Sequence, residues 1–154
     1  MNAVTSATLQ AVALRVVRLA LILGGILAAG MALGAHPLIS AFTKDGAVRA
    51  ASLAVFPIVV LTQPLNALAF VWDGVLYGAG GFSYAAKAMP VCAVPAVAVM
   101  LTSLLGHAPD RQLIAIWAGL TLLMLNRSLT IWLPFRQGWA PFDKMAGHHA
   151  RKRE

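Results

Sequence analysis

An all-α membrane protein with four transmembrane helices is the fold this sequence predicts. Three observations carry that expectation. Hydrophobic residues make up 60% and charged residues 11% of the 154-residue chain, against about 45–50% and about 25% in soluble domains. The apolar residues gather into four stretches, each long enough for the roughly 20 residues that cross about 30 Å of hydrocarbon. The basic residues behind the formal net charge of +7 lie mainly outside those stretches, where a membrane protein keeps them.

The first stretch runs from about Leu19 to Phe42, preceded by Arg15 and Arg18, and residues 1–18 read as a cytoplasmic N-terminal segment. Arg15, Arg18 and the run Leu19 to Gly34 also have the makeup of a secretory signal. Three further spans keep the chain in the membrane on either reading. After the break TKDG, Thr43 to Gly46, the second stretch runs from about Ala50 to Ala79 and contains Pro57 and Pro64. The third runs from about Phe82 to Gly106, with Pro90 and Pro95 inside, and the fourth from about Leu113 to Phe135. Residues 19–135 thus form the transmembrane region, and 136–154 a basic tail. Proline removes a helical N–H, frees a carbonyl and bends the helix; such helices flank the pathway in transporters but are common in spanning helices generally. Gly30/Gly34 and Gly74/Gly78 form two GxxxG pairs. They read either as close helix packing or as chance in a chain rich in glycine and alanine.

The second stretch carries a feature that lipid does not tolerate. Gln63, Asn66, Asp73 and Tyr77 stand at helical offsets and form one polar stripe. Unpaired polar groups in hydrocarbon cost several kcal/mol each, so the stripe is expected to face protein or a wet cavity. Arg127 sits within the fourth stretch, about 12 Å from its end at 1.5 Å per residue, a long reach for snorkelling. Both stretches run in the same direction, which puts Asp73 and Arg127 at similar depth. They are expected to meet, directly or through water, with Asp73 near the membrane edge.

Charge sets the orientation. With four spans, Arg15, Arg18, Lys87, Arg136, Lys144, Arg151, Lys152 and Arg153 fall on one side and Lys44, Arg49 and Arg111 on the other. That bias puts both termini in the cytoplasm of a multi-pass protein of the plasma (inner) membrane. Trp72 and Trp132 then belong to the inner interface and Trp117 to the outer one.

Several function classes are excluded. There is no nucleophile elbow, phosphate-binding Gly-rich loop or HExxH, so no enzyme and no cofactor is expected. The basic residues form no aromatic-interleaved stripe for nucleic acid. Cys92 stands alone, without a disulfide partner or a zinc site, and reads as a small core residue. His148 and His149 read as part of a solvated tail, and His36 and His107 as interfacial.

AFTKDGAVRAAS, QPLNALAFVWDGVLYGAGGFSYAAKAMP and IWAGLTLLMLNRSL, in this order and spacing, resemble the last third of a multidrug and toxic compound extrusion (MATE) transporter. The similarity is greatest to the DinF-like branch, whose plant members carry QPxNALAFVxDG. It covers about Arg18 to Phe142, with a long and specific central motif and weaker flanking ones. The resemblance implies twelve helices in two six-helix lobes and export of organic compounds in exchange for protons or sodium. It implies that the four spans are helices nine to twelve, part of the C-terminal lobe. Partners would be membrane lipids, a small organic substrate, a coupling cation and the remaining helices of a full-length transporter.

Two departures from the family pattern bear on mechanism. The sodium-coupled branch has an acidic cation ligand at the position of Asn66, and an amide cannot replace that charge. The family often has an acidic residue where Gly81 stands. On this register the first and seventh helices, which carry acidic coupling residues in relatives, have no counterpart here. A fragment, half of a split gene and a mis-started frame all fit. The expected function is therefore part of a MATE-type secondary active efflux antiporter. Its pathway candidates are Gln63, Asn66, Asp73, Tyr77 and Arg127, with Pro57, Pro64, Gly74, Gly78, Pro90 and Pro95 as kink or packing positions. The alternative is a small four-helix membrane subunit, either an oligomeric transporter or a non-transporting scaffold.

Overall fold

The computed structural model describes residues 3–105, 109–137 and 142, with side chains for 11–105, 111–137 and 142. Four long helices account for nearly all of them: α1 (Ala3–Phe42), α2 (Gly46–Gly78), α3 (Phe82–Leu101) and α4 (Pro109–Gln137). A short 3-10 turn, Thr102–Leu105, extends α3. All four are long and apolar enough to cross a membrane, over Ala11–Phe42, Gly46–Gly78, Phe82–Leu105 and Arg111–Gln137. The helices outrun the apolar stretches at several ends. At 40 residues, α1 is about 60 Å long, twice the hydrocarbon thickness, and it takes in most of residues 1–18 as helix. Apart from residues 136, 137 and 142, the basic tail lies outside the described residues, as do the histidines at 107, 148 and 149.

Local chemistry fixes two of the connections. Between α1 and α2, the Asp45 carboxylate accepts from Ala47 N at 2.7 Å and Val48 N at 3.1 Å. It caps two of the four amides that a helix start leaves without partners. Between α2 and α3, Gly81 N donates to Leu76 O and Gly80 N to Tyr77 O, both at 2.9 Å. That is the Schellman pattern, and it needs the left-handed φ of 75° found at Gly80, which glycine adopts without steric cost. The turn is so short that Phe82, opening α3, stacks on Tyr77 of α2 with centroids 5.4 Å apart.

Lateral order differs from chain order. α2 packs against α1 on one side and α4 on the other, α3 packs on α4, and α3 touches α2 only slightly. The layer therefore reads α1, α2, α4, α3. Successive helices alternate in direction. Val17 of α1, Trp72 and Leu76 of α2, Tyr84 of α3 and Ile131 and Phe135 of α4 meet in one apolar cluster. Trp72 and Phe135 meet edge to face at 5.1 Å, and Phe135 and Phe142 do so at 5.4 Å, the arrangement that ring quadrupoles favour. At this end Arg136 also lies over the Trp132 ring at 5.3 Å.

The glycines that bring helices together are not the GxxxG pairs. A Cβ on Gly24 would come within 2.8 Å of Pro64 Cα, and one on Gly119 would collide with the Met100 side chain and come within 2.8 Å of Ala96 O. These are the α1–α2 and α3–α4 crossings. Gly30, Gly74 and Gly78 have open space where a Cβ would be, and Gly34 meets only Leu38 of its own helix. The packing expected of Gly74 and Gly78 is thus absent among the described helices: both lie on a face of α2 that neither α1 nor α4 covers. Pro57, Pro64, Pro90 and Pro95 all lie inside helices, as do Pro37 and Pro134.

Candidate functional site

Asp73 and Arg127 come together. Arg127 Nε donates to Asp73 Oδ1 at 2.8 Å, with the Asp73 side chain one-tenth and the Arg127 side chain one-fifth exposed. Trp72 and Leu76 flank Asp73 in sequence and are nearly fully buried. They press this part of α2 onto α4, which places the carboxylate at the guanidinium. Charges in such surroundings persist only as partners. The contact uses a single nitrogen and a single oxygen. The other carboxylate oxygen and the terminal amino groups of Arg127 have no hydrogen-bond partner among the described residues.

The pair forms part of the wall of a 380 Å³ cavity bounded by the C-terminal half of α2, the first half of α3 and the C-terminal half of α4. Tyr77 and Phe82, stacked and exposed, stand on the same wall, and Ala85, Ala88 and Met89 supply the α3 side. The cavity exists because α3 leans on α4 and barely touches α2, so the small α3 residues cannot close the gap. Thr130 and Cys92 contribute polar atoms. The Thr130 hydroxyl donates to Arg127 O at 2.9 Å and lies 3.6 Å from Cys92 Sγ.

The polar stripe is divided by the fold. Asp73 and Tyr77 line the cavity; Gln63 and Asn66, two to three turns earlier, do not. Gln63 turns its amide onto its own helix, donating to Val59 O at 3.1 Å, beside the crossing of α1. Asn66 is half-buried and lines neither cavity described here. Sequence reasoning missed the α3 and α4 contributors Phe82, Met89 and Thr130, and Tyr84, which lies behind the wall and donates to Thr130 O. Their signal was the polar and aromatic residues of α3 and α4 at the depth of Asp73, which becomes legible only once α4 is known to lie between α2 and α3. Cys92 is a core residue at 2% exposure, as expected. No group of three or more metal-ligating side chains occurs among the described residues.

A second cavity, of 560 Å³, lies at the opposite end between α1, α2 and α4, lined by Met31, Ile39, Phe42, Val55, Phe56 and Trp117 among others. It carries no charged side chain, and Thr43 and Ser52 are the polar residues in its otherwise apolar lining.

A family model described as MatE matches residues 5–102. The chain belongs to the MATE family. Three relatives from Arabidopsis thaliana agree. The MATE chain is 39% identical over 133 residues to Protein DETOXIFICATION 42, which covers 86% of it and 25% of that protein. It is 34% identical over 137 residues to Protein DETOXIFICATION 43, covering 89% of it and 25% of the relative. It is 37% identical over 116 residues to Protein DETOXIFICATION 44, chloroplastic, covering 69% and 22%. The chain therefore spans about a quarter of the length of the curated relatives it matches. No solved structure matches it. MATE proteins are transporters rather than enzymes.

Proposed function

We propose that this chain supplies helices nine to twelve, within the C-terminal lobe, of a DinF-like MATE efflux antiporter that exports organic compounds in exchange for protons or sodium. The protein sits in the plasma (inner) membrane with both ends of the four-helix segment cytoplasmic. The basic residues support that orientation: exposed Arg15, Arg18, Lys87 and Arg136 gather at the end of the layer that holds the Trp72 cluster. The low internal burial of the spans supports a larger assembly. Only 11–17% of each span's most apolar window is buried within the chain, leaving wide faces for lipid and for further helices.

The observation that carries the reading is an ion pair of helix interiors set in a cavity wall. A paired carboxylate and guanidinium tolerate hydrocarbon because each offsets the other's lost hydration. A polar ligand or cation arriving in the cavity can take over one partner, and the ligand and the pair then compete for the same groups. This makes Asp73, Tyr77 and Arg127 the pathway residues. Gln63 and Asn66 hold α2 within the lobe, and coupling chemistry resides in helices outside this chain, since Asn66 carries no proton to exchange.

Reconstitution in liposomes tests the proposal. Under an imposed proton or sodium gradient, the chain alone is expected to move no ethidium. Co-expression with helices one to eight of a full-length relative is expected to restore gradient-driven uptake, and Asp73→Asn to abolish it. Uptake by the chain alone, lost in Asp73→Asn, would instead establish a small oligomeric transporter. Uptake by the co-assembled protein that is indifferent to Asp73→Asn would remove the ion pair from the pathway.

A further inference from the structure

Pro134 lies inside α4 and has no N–H, so the carbonyl four residues earlier, that of Thr130, loses its helical donor. In water such a carbonyl would be solvated. At membrane depth it needs another donor or costs several kcal/mol. The Thr130 side chain does not help, because its hydroxyl donates back to Arg127 O. The donor comes from another helix: Tyr84 Oη of α3 reaches Thr130 O at 2.6 Å. Prolines at 37, 57, 64, 90 and 95 free five other carbonyls in the same way. Of the carbonyls that proline frees, that of Thr130 accepts a side-chain hydrogen bond from a neighbouring helix.

We propose that Tyr84 is the positioning residue of the cavity, its hydroxyl latching α3 to the carbonyl that Pro134 orphans on α4. Location gives the latch its consequence. α3 hardly touches α2, so the width of the cavity between them is set by the short Ala79–Gly81 turn and by how α3 sits on α4. The far half of the α3–α4 seam is held sterically at Gly119 and Ala96. The near half, beside the cavity, has the short Tyr84 bond and two longer contacts at Cys92, whose Sγ lies 3.6 Å from the Thr130 hydroxyl and whose carbonyl accepts from Asn126 Nδ2 at 3.5 Å. Thr130 lies one turn beyond Arg127, so the latch also fixes the stretch of α4 that presents the guanidinium to Asp73. With the hydroxyl removed, the orphan carbonyl seeks water from the cavity, and the near half of α3 swings away from α4.

The chain carries its own reporter. Cys92 is the single cysteine, is 2% exposed, and lies in the seam that would open. Labelling of a buried thiol by N-ethylmaleimide tracks how often its cover opens. In membranes, Tyr84→Phe keeps the ring and removes only the hydroxyl. It is expected to raise the labelling rate of Cys92 by up to about tenfold, the factor that one hydrogen bond of ordinary worth permits. Pro134→Ala restores a helical N–H for the Thr130 carbonyl and makes the hydroxyl dispensable. In that background Tyr84→Phe is expected to change the rate less than about twofold, a residue of roughly 0.4 kcal/mol by RT ln 2. An unchanged rate in Tyr84→Phe overturns the latch. So does the same acceleration with and without Pro134→Ala, because the hydroxyl would then not be acting on that carbonyl. Should Tyr84→Phe alone fail to give folded protein, recovery of folded protein in the Tyr84→Phe/Pro134→Ala double variant supports the latch, and no recovery overturns it. The readout is thiol access rather than uptake, so failure here leaves the transport reading standing.

Discussion

Where α2 meets α1, the backbones touch at Gly24 and Pro64, with no room for a side chain between them. Where α2 meets α4, the helices are joined by large side chains: Trp72 against Phe135, Leu76 against Ile131, and Asp73 against Arg127. The first seam is steric and the second is chemical. Lipid tails are as apolar as leucine, so helices in a membrane gain nothing from hydrophobic association as such. Contact must then come from backbone approach or from groups that lipid cannot satisfy. α2 uses one on each side, and the cavity lined by Asp73 and Arg127 opens beside the chemical seam, where bulky partners hold the helices apart.

Substitutions on the two seams should therefore fail differently. Trp72→Ala removes the largest side chain of the chemical seam, 3% exposed. It is expected to cost about 3–5 kcal/mol, read as a fall in thermal midpoint of the purified chain in detergent. A loss no greater than that of an exposed residue such as Phe70→Ala would show that lipid or detergent substitutes for the cluster.

Arg127→Ala leaves the Asp73 carboxylate without its partner. Fully buried pairs broken from one side cost about 3–5 kcal/mol, and solvent access to Arg127 lowers that to about 2–3 kcal/mol here. Replacing both partners with apolar residues, Asp73→Leu with Arg127→Met, is expected to restore the midpoint while removing any cavity function. A double variant as unstable as the single one would mean that the pair stabilises the seam beyond mutual neutralisation.

Gly24→Ala places a methyl group 2.8 Å from Pro64 Cα, and backbone cannot move aside as a flexible side chain can. The expected cost is about 1–3 kcal/mol from overpacking. Crosslinking between cysteines introduced on α1 and α2 should fall, while crosslinking across α2–α4 stays unchanged. Equal loss at both seams would dissolve the distinction between them.

Gly74→Ala has open space for its methyl group and should stabilise the chain by up to about 1 kcal/mol through helix propensity alone. The same substitution lowering activity after co-assembly with further helices would identify this face of α2 as a third, steric seam, completed outside the chain.

The comparison also marks what could be read in advance. Four spanning helices and a meeting of Asp73 with Arg127 follow from hydropathy and from depth along the chain. Each is a one-dimensional property that the amino-acid order contains. Its limit shows at Gln63 and Asn66, which share a helical face with Asp73 yet lie away from the cavity. It shows again at Gly74 and Gly78, which have the packing motif without a described partner, while the unremarked Gly24 and Gly119 make the crossings. Sequence by itself determined which segments cross the membrane and which charges stand at equal depth, because burial in hydrocarbon is set by composition over a span. Tertiary structure alone decided that α4 lies between α2 and α3, that a cavity remains beside Asp73, and that Tyr84 finds the Thr130 carbonyl. Those depend on which helices are neighbours and how each is rotated, and in lipid that is settled by close fit and by individual hydrogen bonds, not by the apolar pattern.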